Sequence, residues 1–555
     1  MTSRGPVPST AGAVPSSADA VVIGSGPNGL VCANLLADAG WDVVVLEAAA
    51  TPGGGVSSAD YLGPGYVADV CSAFYPLAAA SPVITGLHLE DHGLRWRHAP
   101  AVLAHSLPDG RAAVLHRDLE KTVDNLDGFG AGDGRTWRCL FAAWQDLRAD
   151  AISALFTPFP PLRAGLRAAR QLGPAGVLRL ARYAALPVRR LGREEFSGPG
   201  GPLLLAGCAL HTDLTPESAA SSAFGWLLCM LGQDVGFPVP EGGAGSLSAA
   251  LVRRLESRGG RIFCSRRVER IDVAGGRAAG VITSDGDRVA ARRAVMADVV
   301  ATQLFGGLVG WDNLPPSMRR DIERFDWDNS TFKVDWALGA PVPWRAEGAR
   351  GAGTVHLSDS LDEITQYSAE LHQGLVPARP FVLVGQMTTA DPTRSPAGTE
   401  VVWAYTHVPR RVSGDAGGAG ITGRWDHSEM EAMAARLEDS IEAHAPGFKE
   451  LVVSRHVMGP AQLEAHDTNL VAGAINGGTS AIHQELVFRP VPGLGRPETP
   501  VRALYLASSS AHPGGGVHGA CGSNAARAAL WAERPFGRYV GAPLLSAAGR
   551  MARGY

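Results

Sequence analysis

Three glycines near the start of the chain have the spacing of a loop that binds a pyrophosphate. Gly24, Gly26 and Gly29 form a GxGxxG pattern, with Pro27 and Asn28 between the last two. In such a loop the first glycine makes a tight turn and the second lets the backbone approach the phosphates. The third lets a helix pack closely on a strand. The phosphates then face the N–H groups at the start of that helix.

The segments around this loop distinguish it from two other GxGxxG matches, at 418–423 and 514–519. An apolar run at 20–23 precedes the loop, a helical segment follows it, and a β-branched run at 42–46 comes next. Glu47 ends this unit, about 20 residues after the glycines, where an acid accepts hydrogen bonds from the ribose of an adenosine. The sequence therefore predicts a dinucleotide site here, and the alternative is a β–α turn that binds no ligand.

Composition excludes several classes of function. The chain has 555 residues, of which 45% are hydrophobic and 19% charged, which indicates a globular protein of two or three domains. A net charge of −4 gives no global electrostatic case for binding nucleic acid. The seven cysteines contain no CxxC pair, so we expect no metal site and no disulfide framework. No apolar run is long enough to span a membrane, and we expect a cytoplasmic location.

Strand-like and helical segments indicate an α/β fold, α+β overall, with one dinucleotide domain assembled from discontinuous segments. The middle segment has strand-like runs that include 288–290 and 294–296, and the last one begins with a strand at 501–506. A capping box at Ser428 and Glu431 predicts the start of a helix. The predicted division is a flexible tail (1–18), dinucleotide segments (19–79, 241–310, 491–555), a mainly helical inserted cap (80–240) and an inserted mixed α/β substrate domain (311–490).

Two stretches far apart in the chain resemble one family of flavoproteins. Residues 19–55 resemble the FAD-binding opening of the phytoene desaturase and flavin amine oxidase superfamily, and 504–530 resemble the closing FAD motif of phytoene desaturases. Residues 241–300 are similar to the middle FAD segment. The runs 379–409 and 466–493 look most like the branch named pyridine nucleotide-disulfide oxidoreductase domain-containing protein 2.

This resemblance implies a Rossmann-like FAD-binding domain and assigns a role to each matching residue. The residues expected to hold the ADP half of FAD are Gly24, Gly26, Pro27, Asn28, Gly29 and Glu47. The resemblance places Gly54 and Gly55 along the pyrophosphate and ribityl chain, and Val268 beside the adenine. Those expected beside the isoalloxazine are Gly515, Gly516, Val517, Gly519 and Ala520.

The chain departs from the family patterns at two places. Val56 stands where amine oxidases commonly have an arginine, and Ser510 and Ala511 precede the His-Pro turn where desaturases commonly have Gly and Thr. The resemblance implies a desaturase, saturase or isomerase that acts on C–C bonds of a hydrophobic, isoprenoid or polyene-like substrate, with quinone or oxygen reoxidising the flavin. The alternatives are a C–N oxidase like the flavin amine oxidases and an FAD-stabilised protein that acts through partners.

Three residues are candidates for catalysis. Lys333 lies in the strand-like run 330–338 and resembles a lysine of flavin amine oxidases that holds a water at flavin N5. The alternative is a lysine at a strand edge, paired with Asp335 or solvated. His512 and His518 flank the predicted flavin loop, where they either orient substrate or move a proton, or serve only in packing.

A basic stretch suggests contact with a membrane. Residues 151–193 contain eight arginines and no acidic residue. A basic amphipathic cap suits the anionic inner face of a membrane and would admit a lipid-like substrate. The alternative is a solvated basic face.

Overall fold

The computed structural model describes Thr10 and residues 12–534, in which strands and helices alternate along the chain. The strands are β1 (Ser17–Ile23), β2 (Val43–Leu46), β3 (Ser58–Ala59), β4 (Ala68–Asp69), β5 (Trp96–Arg97), β6 (Ala101–Ser106), β7 (Ala112–Leu115), β8 (Val239–Pro240), β9 (Arg261–Phe263), β10 (Val268–Ala274), β11 (Arg277–Thr283), β12 (Arg288–Ala297), β13 (Ser330–Leu338), β14 (Ala352–Leu357), β15 (Leu375–Val376), β16 (Val382–Gln386), β17 (Glu400–Val408), β18 (Gly414–Asp415), β19 (Val452–Met458) and β20 (Leu504–Leu506).

Helices cover the faces of the sheets and build the cap. They are α1 (Pro27–Asp38), α2 (Pro76–Ala80), α3 (Pro82–Thr85), α4 (Leu119–Asp127), α5 (Asp133–Leu155), α6 (Leu162–Ala185), α7 (Val188–Glu195), α8 (Gly200–Ala209), α9 (Ser221–Asp234), α10 (Gly245–Ser257), α11 (Ala301–Gln303), α12 (Pro316–Glu323), α13 (Glu347–Arg350), α14 (Leu361–His372), α15 (Met387–Ala390), α16 (His427–His444), α17 (Pro460–His466) and α18 (Ala520–Ala532). Among the described residues, none of these helices is long and apolar enough to cross a bilayer.

The first sheet brings together the three predicted dinucleotide segments. Strands β20, β12, β1, β2 and β9 are parallel neighbours in that order, and β10 and β11 extend the sheet as antiparallel strands beside the start of β12. Helices α1, α10 and α18 pack on one face and the segment 301–322 packs on the other. This arrangement confirms the predicted α/β class with a Rossmann-like domain, and it places the carboxyl ends of five parallel strands at one edge.

The second sheet forms the floor of the inserted domain. Its strand order is β19-β13-β17-β16-β14-β6-β7. Helix α16 covers one face, and α5, α8 and α9 cover the other through an apolar cluster. Alternation along β13 gives both faces an apolar layer, because Phe332, Val334 and Trp336 point to one cluster and Ala337 to the other.

Several predicted boundaries need correction. The stretch 80–240 is mainly helical, as predicted, but it also supplies β6 and β7, which join the second sheet. Residues 288–297 form one strand instead of two, since β12 pairs with β11 at its start and with β20 at its end. The last strand begins at Leu504, and β1 begins at Ser17, inside the predicted tail.

The capping box predicted for α16 is also misplaced. The helix begins two residues earlier than expected, because the carboxylate of Asp426 accepts a hydrogen bond from the Glu429 N–H at 3.1 Å. Glu429 in turn accepts the backbone N–H groups of Thr422, Gly423 and Trp425. The N-cap is therefore Asp426 and not Ser428, and Glu429 bonds the preceding turn instead of closing a capping box.

Candidate cofactor and active site

The first glycine loop joins β1 to α1 at the carboxyl edge of the first sheet. Gly26 caps α1 and Pro27 is its first residue, where a proline costs no helical hydrogen bond. Gly24 has a φ of +90°, and a Cβ at Gly29 would lie 2.3 Å from the Gly24 carbonyl oxygen. Larger side chains are excluded at both positions, as the strand–turn–helix interpretation of the sequence requires.

Glu47 ties the end of β2 to this loop. One carboxylate oxygen accepts the Ser25 N–H at 2.7 Å and the Ser25 hydroxyl at 2.6 Å, and the other accepts the Ala49 N–H at 2.7 Å. The acid therefore lies where the sequence predicted a group for ribose hydroxyls. Val268 begins β10 and belongs to the same apolar cluster as Ile23 and Leu46, at the ends of β1 and β2.

The second glycine turn, at 53–55, closes over the first. The Gly53 N–H donates to the Ser25 carbonyl oxygen at 3.1 Å, and a Cβ at Gly54 would lie 3.4 Å from the Gly26 Cα. The two turns therefore face each other with backbone atoms. Any side chain larger than a hydrogen atom would fill the space between them. This cradle fits the close approach that a pyrophosphate makes to glycine backbone.

The loop at 514–520 reaches the same place from the other end of the chain. Gly519 caps α18 with a φ of +70°. Helix α18 crosses α1 so closely that a Cβ at Gly522 would lie 1.9 Å from the Asn28 carbonyl oxygen. The N-termini of the two helices therefore converge, and the residues predicted from both ends of the chain, up to Ala520, form one continuous site.

Two carboxylates in the cradle, the buried Asp298 and the half-buried Asp467, were missed by the sequence analysis. Asp298 accepts the Gly29 N–H at 2.8 Å, and an oxygen of Asp467 would lie 3.0 Å from a Cβ at Gly54. Burial raises the pKa of Asp298 to about 7, the Gly29 N–H opposes this shift, and the carboxylates of Asp467 and Glu47 add to it. Burial also raises the pKa of Asp467. The sequence signal for Asp298 was its position directly after a parallel strand.

The two candidate histidines lie on the flavin loop and are buried. Burial lowers the pKa of His512 and of His518 to about 4, so both are neutral near pH 7. His518 accepts the Ala520 N–H at Nδ1, at 3.0 Å. Aromatic rings of the cap cover both, because Phe156 lies 5.1 Å from the His518 ring and Phe159 lies 6.4 Å from the His512 ring.

Arg489, which the sequence analysis also missed, holds the flavin loop in place. Its fully buried guanidinium donates to the carbonyl oxygens of Ser509, Thr479 and Asn476, at 2.9 to 3.1 Å, and to Glu485 at 2.9 Å. It therefore joins the loop before the His-Pro turn to the segment 476–479. The sequence offered no periodicity that marks such an arginine, because most of its partners are backbone atoms brought together only by the fold.

Lys333 is neither at a sheet edge nor solvated. It lies in β13, between β17 and β19, and is only 3% exposed. Its ammonium pairs with Asp335, which also accepts the Tyr61 hydroxyl at 3.0 Å. Burial raises the pKa of the Cys71 thiol to about 12, Asp467 adds to the shift, and Lys333 lowers it. Cys71 also contacts the second glycine turn, because its Cβ lies 3.7 Å from a Cβ position at Gly55.

Known proteins match this architecture along nearly the whole chain. Pyridine nucleotide-disulfide oxidoreductase domain-containing protein 2 of Mus musculus is 29% identical over 92% of each chain. The phytoene desaturase (lycopene-forming) of Pseudescherichia vulneris is 25% identical over 92% of this chain and 99% of its own. A crystal structure of an oxidoreductase from Methanosarcina mazei covers 92% of this chain and 99% of its own, with a TM-score of 0.60 and 16% identity, and so shares the fold.

The family of flavin containing amine oxidoreductases matches residues 28–366. This match confirms the resemblance seen in the sequence, with FAD as the cofactor and oxidoreduction as the general activity. The two glycine turns, the acid after β2 and the converging helix N-termini are consistent with that cofactor. The chain therefore belongs to the family of flavin containing amine oxidoreductases.

Proposed function

We propose that this FAD-dependent oxidoreductase acts on C–C bonds of a hydrophobic, isoprenoid or polyene-like substrate, as a desaturase, saturase or isomerase. The observation that carries the proposal is the apolar cover of the flavin loop. Phe156 and Phe159 face its two histidines, and the Leu77 side chain lies 2.6 Å from a Cβ position at Gly516. Apolar groups at this point favour a substrate without charge.

The residues of the chain would bind, orient and exchange protons, while bound FAD supplies the acceptance or release of a hydride. In desaturation, one carbon loses a hydride and the neighbouring carbon loses a proton. A quinone or oxygen then takes up the two electrons. His512 supports the proton step, because it is neutral near pH 7 and lies on the flavin loop, beside the backbone of Thr157.

A C–N oxidase is the second candidate function. It is favoured by Lys333 and by an aromatic pair on the neighbouring strand, where the Trp403 and Tyr405 rings stack at 5.7 Å. Tyr405 lies directly opposite Lys333 in the register of β17 and β13. Aromatic faces hold amine groups well, so this floor would also suit an amine substrate. A third alternative is a protein that keeps FAD only for stability and acts through partners.

Anaerobic flavin bleaching distinguishes these functions. The purified holoprotein is mixed with polyenes, polyprenyl compounds and alkyl amines without oxygen, and a quinone is then added. Bleaching by an apolar C–C substrate, followed by return of colour with quinone, is the expected result. Bleaching by amines alone would favour the C–N oxidase. No bleaching by either class, with normal reduction by dithionite, would favour the structural role.

A cytoplasmic location with peripheral contact to the inner face of a membrane, through residues 151–193, is part of this proposal. A water-insoluble substrate is held in lipid, so the enzyme must approach that surface. The support is the basic composition of this stretch, which faces outward on α6 and α7.

A further inference from the structure

Apart from the exposed His483, the segment 482–489 has its polar side chains inside and its large apolar side chains outside. Gln484, Glu485 and Arg489 are buried, and Gln484 exchanges hydrogen bonds with the Asp326 backbone at 2.8 and 2.6 Å. The outward side chains are Ile482, Leu486 and Phe488, which are 49%, 39% and 43% exposed. A surface loop in water normally has the opposite arrangement, so this face suits an apolar partner.

Helix α6 shows the same property. Ala164 is its only buried residue, whereas Leu162, Leu166 and Leu178 are 68%, 58% and 73% exposed. Apart from Val453, every exposed large hydrophobic side chain among the described residues lies on α6 or in the segment 482–488. The exposed apolar surface is therefore concentrated in these two elements and is not scattered over the molecule.

The two elements meet above the flavin loop. The Phe159 N–H, three residues before α6, donates to the Gly495 carbonyl oxygen at 3.2 Å, and a Cβ at Gly495 would lie 2.8 Å from the Val487 Cα. On the inner side, Phe159 contacts His512. We call the exposed apolar side chains at this junction the apolar rim: Leu162, Leu166, Ile482, Leu486 and Phe488.

The charges beside the rim determine which apolar partner suits it. Within the described residues, Arg163, Arg170 and Arg179 have no ion pair, whereas Arg167 pairs with Asp150 and Arg182 with Glu194. Beside the other element, Asp326 pairs with His483 at 3.4 Å. The uncompensated charge on α6 is therefore positive, which complements an anionic lipid surface.

We propose that the apolar rim inserts into an anionic bilayer and that a hydrophobic substrate leaves the lipid here, passing Phe159 to reach the flavin loop. Insertion buries the exposed leucines and the Phe488 ring, and the unpaired arginines of α6 lie at the headgroups. The passage of substrate rests on the proposed function, whereas the insertion does not. The sequence indicated only a basic stretch. Four of its eight arginines, at 167, 182, 189 and 190, form ion pairs with acids outside 151–193.

Vesicle flotation tests the insertion. The holoprotein is floated with phosphatidylcholine vesicles, with and without phosphatidylglycerol, at low and high salt. We compare a rim variant, Ile482→Ser with Phe488→Ser, with a charge variant, Arg163→Gln with Arg170→Gln, and with the control Val453→Ser. We expect anionic vesicles to capture the unaltered protein, and the rim variant to partition about tenfold more weakly. Capture of the charge variant should depend less on salt, and capture of the control should be unchanged.

Capture of the rim variant equal to that of the unaltered protein would overturn the insertion, and so would no capture at low salt. Light scattering of the same samples tests a second copy as the occupant. A dimer that the rim substitutions convert to a monomer, without vesicle capture, would also overturn the proposal. Equal flavin content in all variants shows that folding is retained. Vesicle capture without flavin bleaching by any apolar substrate would overturn the proposed function and leave the insertion standing.

Discussion

At the scale of the residue, Gly26 is a position where the cofactor cradle leaves too little room for a side chain. A Cβ there would lie 2.8 Å from a carboxylate oxygen of Asp298 and would point into the space shared with Gly54. We expect Gly26→Val to lower the flavin content of the purified protein at least about tenfold, or ~1.4 kcal/mol of binding. The ratio of flavin to protein absorbance measures this. Gly307→Val is the control, because no atom lies within 4 Å of its Cβ position. Full retention of FAD by the first variant would contradict the site.

Asp298 should make FAD binding depend on pH. With a pKa of about 7 it is protonated at pH 6 and charged at pH 8, beside a pyrophosphate that is itself anionic. Protonation therefore favours binding, and the FAD dissociation constant should rise with pH above 7, by up to about tenfold per unit. Titration of apoprotein with FAD at several pH values measures this slope.

The variant Asp298→Asn should remove most of that slope, because it keeps the shape of the side chain without its charge. The control Asp312→Asn replaces an exposed acid and should leave the pH dependence of FAD binding unchanged. An identical slope in both variants would assign the titration to another group, such as Asp467.

Lys333 should affect flavin reoxidation without holding the cofactor. Lys333→Met removes the buried partner of Asp335, so we expect a loss of about 3 kcal/mol of stability, which Lys333→Met with Asp335→Asn should largely restore. If the lysine serves oxygen chemistry, both variants keep FAD and reoxidise about tenfold more slowly, or ~1.4 kcal/mol in the barrier. Stopped-flow mixing with oxygen measures the rate. An unchanged rate in the stable double variant would make the role of Lys333 structural only.

At the scale of the element, the start of α16 tests how a helix begins. The sequence pattern SxxE and the pattern DxxE stand two residues apart, and both predict a cap. The structure uses Asp426, because Glu429 can then gather the N–H groups of the preceding turn. Asp426→Ala should cost about 1 kcal/mol of unfolding free energy. Ser428→Ala should cost almost nothing, and equal losses in denaturant titrations would contradict this assignment.

Helices and strands could be predicted from the sequence where a few neighbouring residues set the apolar pattern. The β1–α1–β2 unit, the hairpin β10–β11 and the alternation along β13 follow from periodicity over a few residues. The sharing of one edge of β12 by β11 and β20 does not follow from such a pattern, because the pairing with β20 joins residues more than 200 positions apart. Similarly, the glycine turns were visible in the sequence, whereas Arg489 and Asp467 enter the site only through tertiary packing.

At the scale of the molecule, the candidate cofactor site is formed by segments at both ends and in the middle of the chain. Helix α18 reaches α1 through Gly522, and β12 supplies Asp298 between them. FAD contacts would therefore stabilise the folded chain as a whole and not one local element. A ligand that binds only the folded state adds about 2.7 kcal/mol at one hundred times its dissociation constant.

Removal of FAD should accordingly lower the thermal unfolding midpoint, and re-addition should restore it. Limited proteolysis of apoprotein should open both the N-terminal and the C-terminal dinucleotide segments, since they share the cradle. Gly522→Val forces α18 away from the Asn28 carbonyl oxygen and should lose both the FAD and the stabilisation by added FAD, although it lies outside the glycine turns. Protection by FAD confined to residues near Gly24, with the C-terminal segment cleaved equally in both forms, would show that the two ends do not form one site.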